Sequence, residues 1–436
     1  MPQDIGAAAV VPRTLADWLA WQESLHPKEI ELGLARCRAV AARMGLLPVD
    51  YTTITVAGTN GKGSTVALLD AVYRRAGYRV ATYTSPHLIH YNERIRVDGQ
   101  CADDARICAA FARVEAAREG MPLTFFEFGT LAALAIFADA KPDLAVLEVG
   151  MGGRLDAVNI VDADVAVIAT LDIDHVEFLG RTREAIAREK AGIMRAGRPA
   201  VCSDPAAPAS LLECATRLGA KLSLLGAGFN FADKGDTWTW WSGDTVLEGL
   251  PRPALSGSYQ LRNAAGVLKA VDLLQPRHPV APATIAEALA HTTLRGRFQR
   301  LPGEVEIVLD VAHNAQAVDT FVATLRTLPN VPRTQVVLGM LKTKDRLSAM
   351  SALAEIADEW QLATVQAPKG ASAEELHATW QQLPRRAPAS RHASVAAAFA
   401  AARAAARPGD RIVAVGSFIT VGDVLRILAP EDGDGD

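Results

Sequence analysis

The sequence predicts an α/β protein in two domains, each built on a mainly parallel sheet. Three observations predict it. Apolar runs of strand character alternate with helical patterns along most of the chain, which is the rhythm of βα units. A glycine-rich turn, Ala57-Gly58-Thr59-Asn60-Gly61-Lys62-Gly63-Ser64, joins one such run to one such helix. The rhythm then breaks around residues 294–303 and starts again. With 436 residues, half of them hydrophobic, the chain has enough material for two or three domains with large cores.

Taken in order, residues 15–44 form a helical stretch and residues 51–56 a β-type run that feeds the glycine-rich turn. The helix after the turn begins near Thr65, and residues 80–84 make a short strand. Helices are expected near 103–119 and 129–138, and buried parallel strands at 144–147 and 165–169, whose runs are apolar throughout. The alternating aromatics of 237–241, followed by 245–247, suggest an antiparallel hairpin. Beyond the boundary, strands are expected at 305–309, 335–338, 362–365 and 411–415, separated by alanine-rich helices. The acidic tail, residues 431–436, is expected to fray, and no internal repeat is present.

Charge and cysteine content exclude several classes. A net charge of −4 without a lysine or arginine block gives no footprint for nucleic acid. Residues 1–13 lack a basic region, and the apolar run at 7–11 is too short for a signal peptide. No apolar segment approaches the roughly 20 residues that span a bilayer. The five cysteines form no C-x-x-C pair; Cys101 and Cys108 could share a helical face, with buried free thiols the favoured state. A cytoplasmic protein that needs no membrane is expected.

The turn at 57–64 has the chemistry of a triphosphate site. Its glycines let backbone N–H groups face an anion, and the helix start adds its dipole. Lys62, expected on a solvent-facing loop, brings charge to the β/γ-phosphates, and Ser64 a hydroxyl for phosphate or magnesium. Two residues rather than four separate the glycines, and Gly63 stands between Lys62 and Ser64. That spacing argues against ordinary GTPases and motor ATPases, and no guanine-reading N-K-x-D is present.

Ligands of open parallel sheets gather at the carboxyl ends of the strands. Glu148 ends one strand, placed like the acids that hold magnesium beside nucleotides. His175, at the end of Leu171-Asp172-Ile173-Asp174-His175, could ligate a metal or orient a group. Ser85 could join the same ion or serve only as a cap before Pro86. Lys190, near the end of a helix stopped by Gly192, reads as a solvated charge. In the second domain Asp310 is placed to accept from ribose hydroxyls, and His313 could approach phosphate. Phosphates in one domain and ribose in the other imply ATP lying between them.

Seven motifs in order carry a specific resemblance: the loop 58–64, Ser85-Pro86-His87-Leu88, Thr124-Phe125-Phe126-Glu127-Phe128, residues 147–156, Arg188-Glu189-Lys190-Ala191-Gly192, Gly296-Arg297-Phe298-Gln299 and Asp310-Val311-Ala312-His313-Asn314. Over nearly the whole chain it resembles the bifunctional dihydrofolate synthase/folylpolyglutamate synthase family of the Mur ligase superfamily. The resemblance implies a P-loop-type ATPase domain over residues 1–297 and a smaller Rossmann-like domain over 298–436. It implies a monomer that forms an amide between a pteroate or reduced-folate carboxylate and L-glutamate, through an acyl phosphate. Gly61, Lys62, Gly63, Ser64, Asn263, Arg297 and Asp310 would hold ATP. Ser85, Glu148 and His175 would hold magnesium, with a monovalent cation as an optional addition. Lys62, His175 and Lys190 would be catalytic, Lys190 as a carbamate. Ile30, Glu31, Leu32, Gly33, Thr124, Phe125, Phe126, Glu127, Leu155, Asp156 and Ala157 would hold dihydropteroate, with Glu127 accepting from the pterin amino edge.

Overall fold

In the computed structural model, residues 14–26, 28 and 30–428 are described; segment 1–13 and the acidic tail 431–436 lie outside them. The first sheet comprises β1 (Thr52–Ala57), β2 (Val80–Tyr83), β3 (Ile95–Val97), β4 (Gln100–Cys101), β5 (Leu144–Glu148), β6 (Val165–Ile168), β7 (Pro199–Cys202) and β8 (Lys221–Leu224). Their order is β4-β3-β2-β5-β1-β6-β7-β8, parallel throughout except for the antiparallel edge made by β3 and β4. All six residues of β1 are buried, as a central strand covered on both faces requires. Its register pairs Val56 with Glu148 and Ala57 with Ile168. The glycine-rich turn, Glu148 and the segment leading to His175 therefore leave the sheet along one edge. Tyr83 pairs with Leu147, which brings Ser85 to the same edge.

A separate antiparallel sheet follows, of β9 (Asn230–Asp233), β10 (Thr237–Ser242) and β11 (Thr245–Pro251). Trp238 and Trp240 are buried, and Trp240 Nε1 donates to Ala265 O at 3.1 Å in the helix Tyr259–Leu274. That helix packs against Lys62–Arg75, the helix that follows the turn.

The last sheet holds β12 (Gln299–Leu301), β13 (Glu306–Asp310), β14 (Thr334–Leu338), β15 (Glu359–Ala363), β16 (Ala389–His392) and β17 (Arg411–Val415). Its order is β12-β13-β17-β14-β15-β16, with only β12 antiparallel to its neighbour. Asp310 and Leu338 both pair with Val415, so 311–314, 339–344 and 416–418 emerge together.

Several expectations need correction. The stretch 15–44 is two helices, Leu15–Leu25 and Ala35–Arg43; between them Gly33 N–H donates to Leu155 O at 3.1 Å, a tertiary bond that replaces helical ones. The helix expected at 129–138 begins at Phe125, because Thr124 and Glu127 form a reciprocal capping box there. The boundary segment 294–303 contains β12 and so is partly sheet. Cys101 is exposed in β4, on no helix shared with Cys108; all five thiols are free. Among the described residues no helix is long and apolar enough to cross a membrane.

Candidate active site

Gly61 sits at φ 87 as the cap before the helix Lys62–Arg75, a conformation that suits glycine. A Cβ there would stand 2.6 Å from Asn263 Oδ1, so a side chain is excluded as well. Asn263 Nδ2 donates to Gln260 Oε1 at 2.8 Å, and Gln260 Nε2 donates to Ser64 Oγ at 3.2 Å. The turn is thus braced from behind by a buried amide pair. Lys62 does not project into solvent as expected. It is the first helical residue, half-buried, and its Nζ donates to Gly58 O at 3.0 Å. Burial lowers its pKa, while Glu148 opposes that shift.

Glu148 is buried at the end of β5, and burial raises its pKa, with Lys62 pulling the other way. Its Oε2 accepts from the backbone N–H of Ser85 at 3.3 Å. Ser85 caps no helix: the next helical turn, Tyr91–Arg94, is capped by His90. His175 lies across the same opening at φ 50. Burial and then Lys344 push its pKa down to about 4, which leaves a neutral imidazole at pH 7.

Lys190 departs furthest from the solvated charge expected of a lysine at a helix end. It is buried in the last turn of Arg183–Ala191, with Nζ donating to Gly58 O at 2.9 Å. Burial, followed by repulsion from Lys62, brings its pKa down to about 7.

The second sheet closes the site. Arg297 stacks its guanidinium over Phe418 at 5.0 Å from the ring centre and reaches toward Gly63. Both Asp310 oxygens accept backbone N–H groups, from Phe298 and Ala312 at 2.7 Å each. Asp310 therefore fixes the backbone of its own domain at 298 and 312, where a ribose contact alone was expected. His313 Nδ1 pairs with Val311 O at 2.9 Å, and its Nε2 lies 3.6 Å from Asp174. The edges of the two sheets face one another across a cavity of about 540 Å³. Every residue expected to hold nucleotide or metal lines it, together with Lys190.

The expected pteroate positions do not line that cavity; they gather beside it. Arg36 bridges Glu31 (2.9 Å) and Glu127 (3.1 Å), and the Gly33–Leu155 bond ties the 30–33 segment to 155–157. Phe126 faces Gly150, which lines the cavity; a Cβ on Gly150 would come within 2.6 Å of the ring. Glu127 is not free to meet a pterin edge as expected. Its carboxylate is 4 % exposed, bonded to Thr124 N–H at 2.9 Å and paired with Arg36. Asp156 accepts from Met151 N–H (2.8 Å) and Val158 N–H (3.1 Å), and burial pushes its pKa up to about 7. Lys344, Gln316 and Arg36 carried no recognisable signal of their own in the sequence, because each meets a partner distant along the chain, Asp174, Asn60 and Glu127 respectively.

A phosphate turn at the centre of one parallel sheet faces a second sheet across a cavity lined by Lys62, Lys190, Lys344 and the buried Glu148, the arrangement of a two-domain nucleotide-dependent ligase. Residues 56–203 match the Mur ligase middle domain, and residues 296–418 match the Mur ligase, glutamate ligase domain. The dihydrofolate synthase/folylpolyglutamate synthase of Escherichia coli is 41% identical over 414 residues, 95% of each chain. That of Haemophilus influenzae is 39% identical, over 95% of this chain and 97% of its own. The solved structure of Escherichia coli FolC with DHPP and ADP superposes with a TM-score of 0.91 at 39% identity, covering 97% of this chain and 99% of that one. A bifunctional folylpolyglutamate synthase/dihydrofolate synthase with Mn, AMPPNP and L-glutamate bound gives 0.87 at 40%, covering 96% and 98%. The chain belongs to the dihydrofolate synthase/folylpolyglutamate synthase family.

Proposed function

We propose that the protein is an ATP-dependent ligase that joins L-glutamate to dihydropteroate and to the glutamate tail of reduced folates. One observation carries this most directly: the cavity takes Lys62, Lys190 and Glu148 from the first sheet's domain and Arg297, Asp310 and Lys344 from the second, with the pteroate segments gathered at its side. The substrate carboxylate attacks the γ-phosphorus of ATP, and ADP leaves. The glutamate amine then attacks the acyl carbon, loses a proton, and expels phosphate through a tetrahedral intermediate. Both steps crowd anions together, so fixed positive charge from Lys62 and Arg297 is what the chain contributes to the first.

The donor set suits a hard divalent cation. Glu148 is a buried carboxylate, His175 a neutral imidazole, and Ser85 a hydroxyl, which leaves positions for phosphate oxygens and water. Magnesium there would neutralise phosphate charge.

Lys190 is the carbamate of this site. Carbon dioxide adds to a free amine with loss of one proton, and an amine with pKa near 7 is free in substantial part at pH 7. The carbamate keeps one N–H to donate to Gly58 O and presents a carboxylate to Lys62 and the metal. Pterin recognition falls to Phe126 and Asp156, with Arg36 and Glu127 shaping the pocket wall. The protein acts as a cytoplasmic monomer without nucleic acid or membrane, its domains dividing at 297/298. A monovalent cation is tested by exchanging potassium for sodium in the assay. With dihydropteroate, L-glutamate and ATP, the purified protein should release one phosphate per dihydrofolate formed, identified by mass; ATP turnover without product would overturn the proposal.

A further inference from the structure

His175 holds a left-handed backbone, φ 50, which a residue with a Cβ keeps only where contacts impose it. The contact here is local: His175 N–H donates to Asp174 Oδ1 at 2.8 Å. That same oxygen accepts Lys344 Nζ at 2.7 Å. The other Asp174 oxygen faces His313 Nε2 at 3.6 Å and Asn314 Nδ2 at 3.4 Å. Lys344, His313 and Asn314 all stand at the edge of the second sheet, whereas Asp174 and His175 belong to the first. The Asp174 and Lys344 side chains are only 11 % and 9 % exposed, so solvent screens their attraction weakly. A second bridge lies alongside: Asn60 Nδ2, in the phosphate turn, donates to Gln316 Oε1 at 2.7 Å.

We infer that Asp174 is a positioning residue, which makes the placement of His175 conditional on docking of the second domain. This rests on the assignment of His175 to the metal site. With the domains together, the Lys344 ammonium fixes the Asp174 carboxylate, and the carboxylate fixes the His175 turn. With the domains apart, Asp174 loses its three partners from the second sheet and is free to swing away from His175 N–H. The metal site is then complete only in the closed molecule, so the γ-phosphate is activated only when water is shut out of the cavity. Asn60 couples the phosphate turn to the same closure.

Binding of Mn²⁺ to the full chain with AMPPNP, followed by the electron paramagnetic resonance of free Mn²⁺, separates these roles. Lys344→Met should weaken Mn²⁺ binding about tenfold, in the range for residues that orient metal ligands, and Lys344→Arg should restore most of it. Asp174→Asn should match Lys344→Met, which guards against misfolding of either single variant. Lys344→Met placed on His175→Ala should add nothing further, since its effect passes through His175. Additive losses in that double variant, or unchanged Mn²⁺ affinity in Lys344→Met, would overturn the positioning role and leave His175 as a ligand. Unchanged affinity in His175→Ala alone would overturn the ligand assignment and the inference with it.

Discussion

Lys62 and Lys190 donate to one and the same carbonyl oxygen, that of Gly58, at 3.0 and 2.9 Å. Two ammonium groups so close in a buried site repel, and both pKa values fall, through burial first. The arrangement relieves itself if one amine gives up its charge. Carbamylation of Lys190, as proposed, would do so and turn a repulsive pair into an attractive one.

Lys190→Arg should therefore be inactive, since a guanidinium forms no carbamate. Lys190→Ala should recover part of its activity with a small carboxylic acid in the buffer. Because the amine loses its proton near pH 7, activation at fixed dissolved carbon dioxide should grow as pH rises from about 6 to about 8. Wild-type-like turnover in Lys190→Arg would remove the carbamate from the site.

Lys62→Ala should lose turnover by roughly 10²–10³-fold, the scale of one lost electrostatic contact to the reacting group. Lys62 makes only part-buried bonds, to Gly58 O and Thr59 O of its own turn, so the thermal midpoint should move little. Steady-state kinetics and a melting curve on one preparation check both halves.

Glu148→Gln and His175→Ala should each raise the magnesium concentration that gives half-maximal rate. Activity titrated with magnesium, against the parent, is the measurement. An unchanged requirement in both would reduce these strand ends to structural roles.

Glu127→Ala leaves Arg36 with only Glu31 and removes half of the cap at Thr124. Arg36 keeps Glu31 and is partly exposed, so the loss falls below the about 3–5 kcal/mol of a buried charge left wholly unpaired. A fall in the thermal midpoint is expected, with ATP binding spared because Glu127 lies outside the nucleotide cavity. Asp156→Asn, by contrast, should weaken dihydropteroate binding.

Much of this protein is legible in its sequence, for identifiable reasons. Most core strands are built on apolar runs, and β17 was located to the residue because Ile412–Val415 is such a run, opened by Arg411. The phosphate turn announces itself because glycine, lysine and serine are each needed at fixed spacing. The strand β7, Pro-Ala-Val-Cys, is apolar but only four residues long, and β8 and β16 carry no such pattern; β16 is Ala-Ser-Arg-His, half exposed on an edge. Lys190 was unreadable from local sequence, since a lysine in a last helical turn is ordinarily solvated and only the approach of Gly58 buries it. Glu127 misled for the same reason: its partner Arg36 stands 91 residues away. Spacing reports local geometry, and these roles are set by tertiary neighbours.

Domain closure supplies a further check. Asn60–Gln316 and Asp174–Lys344 join the domains across the cavity, and Gly296 and Phe298 hold left-handed backbones between them. The hinge should fall at residues 294–298, before β12. Small-angle scattering should report compaction when an ATP analogue and dihydropteroate are added to a Lys344→Met, Gln316→Ala double variant, whose free form lacks the two bridges. The parent, which keeps both, should change less.

The most direct measurement offers the protein three acids in turn, dihydropteroate, tetrahydrofolate and a UDP-linked muramoyl acid, each with ATP and L-glutamate, and follows phosphate release. Release with dihydropteroate and with tetrahydrofolate, and none with the muramoyl acid, is the expected result. Release confined to the muramoyl acid would contradict the folate assignment.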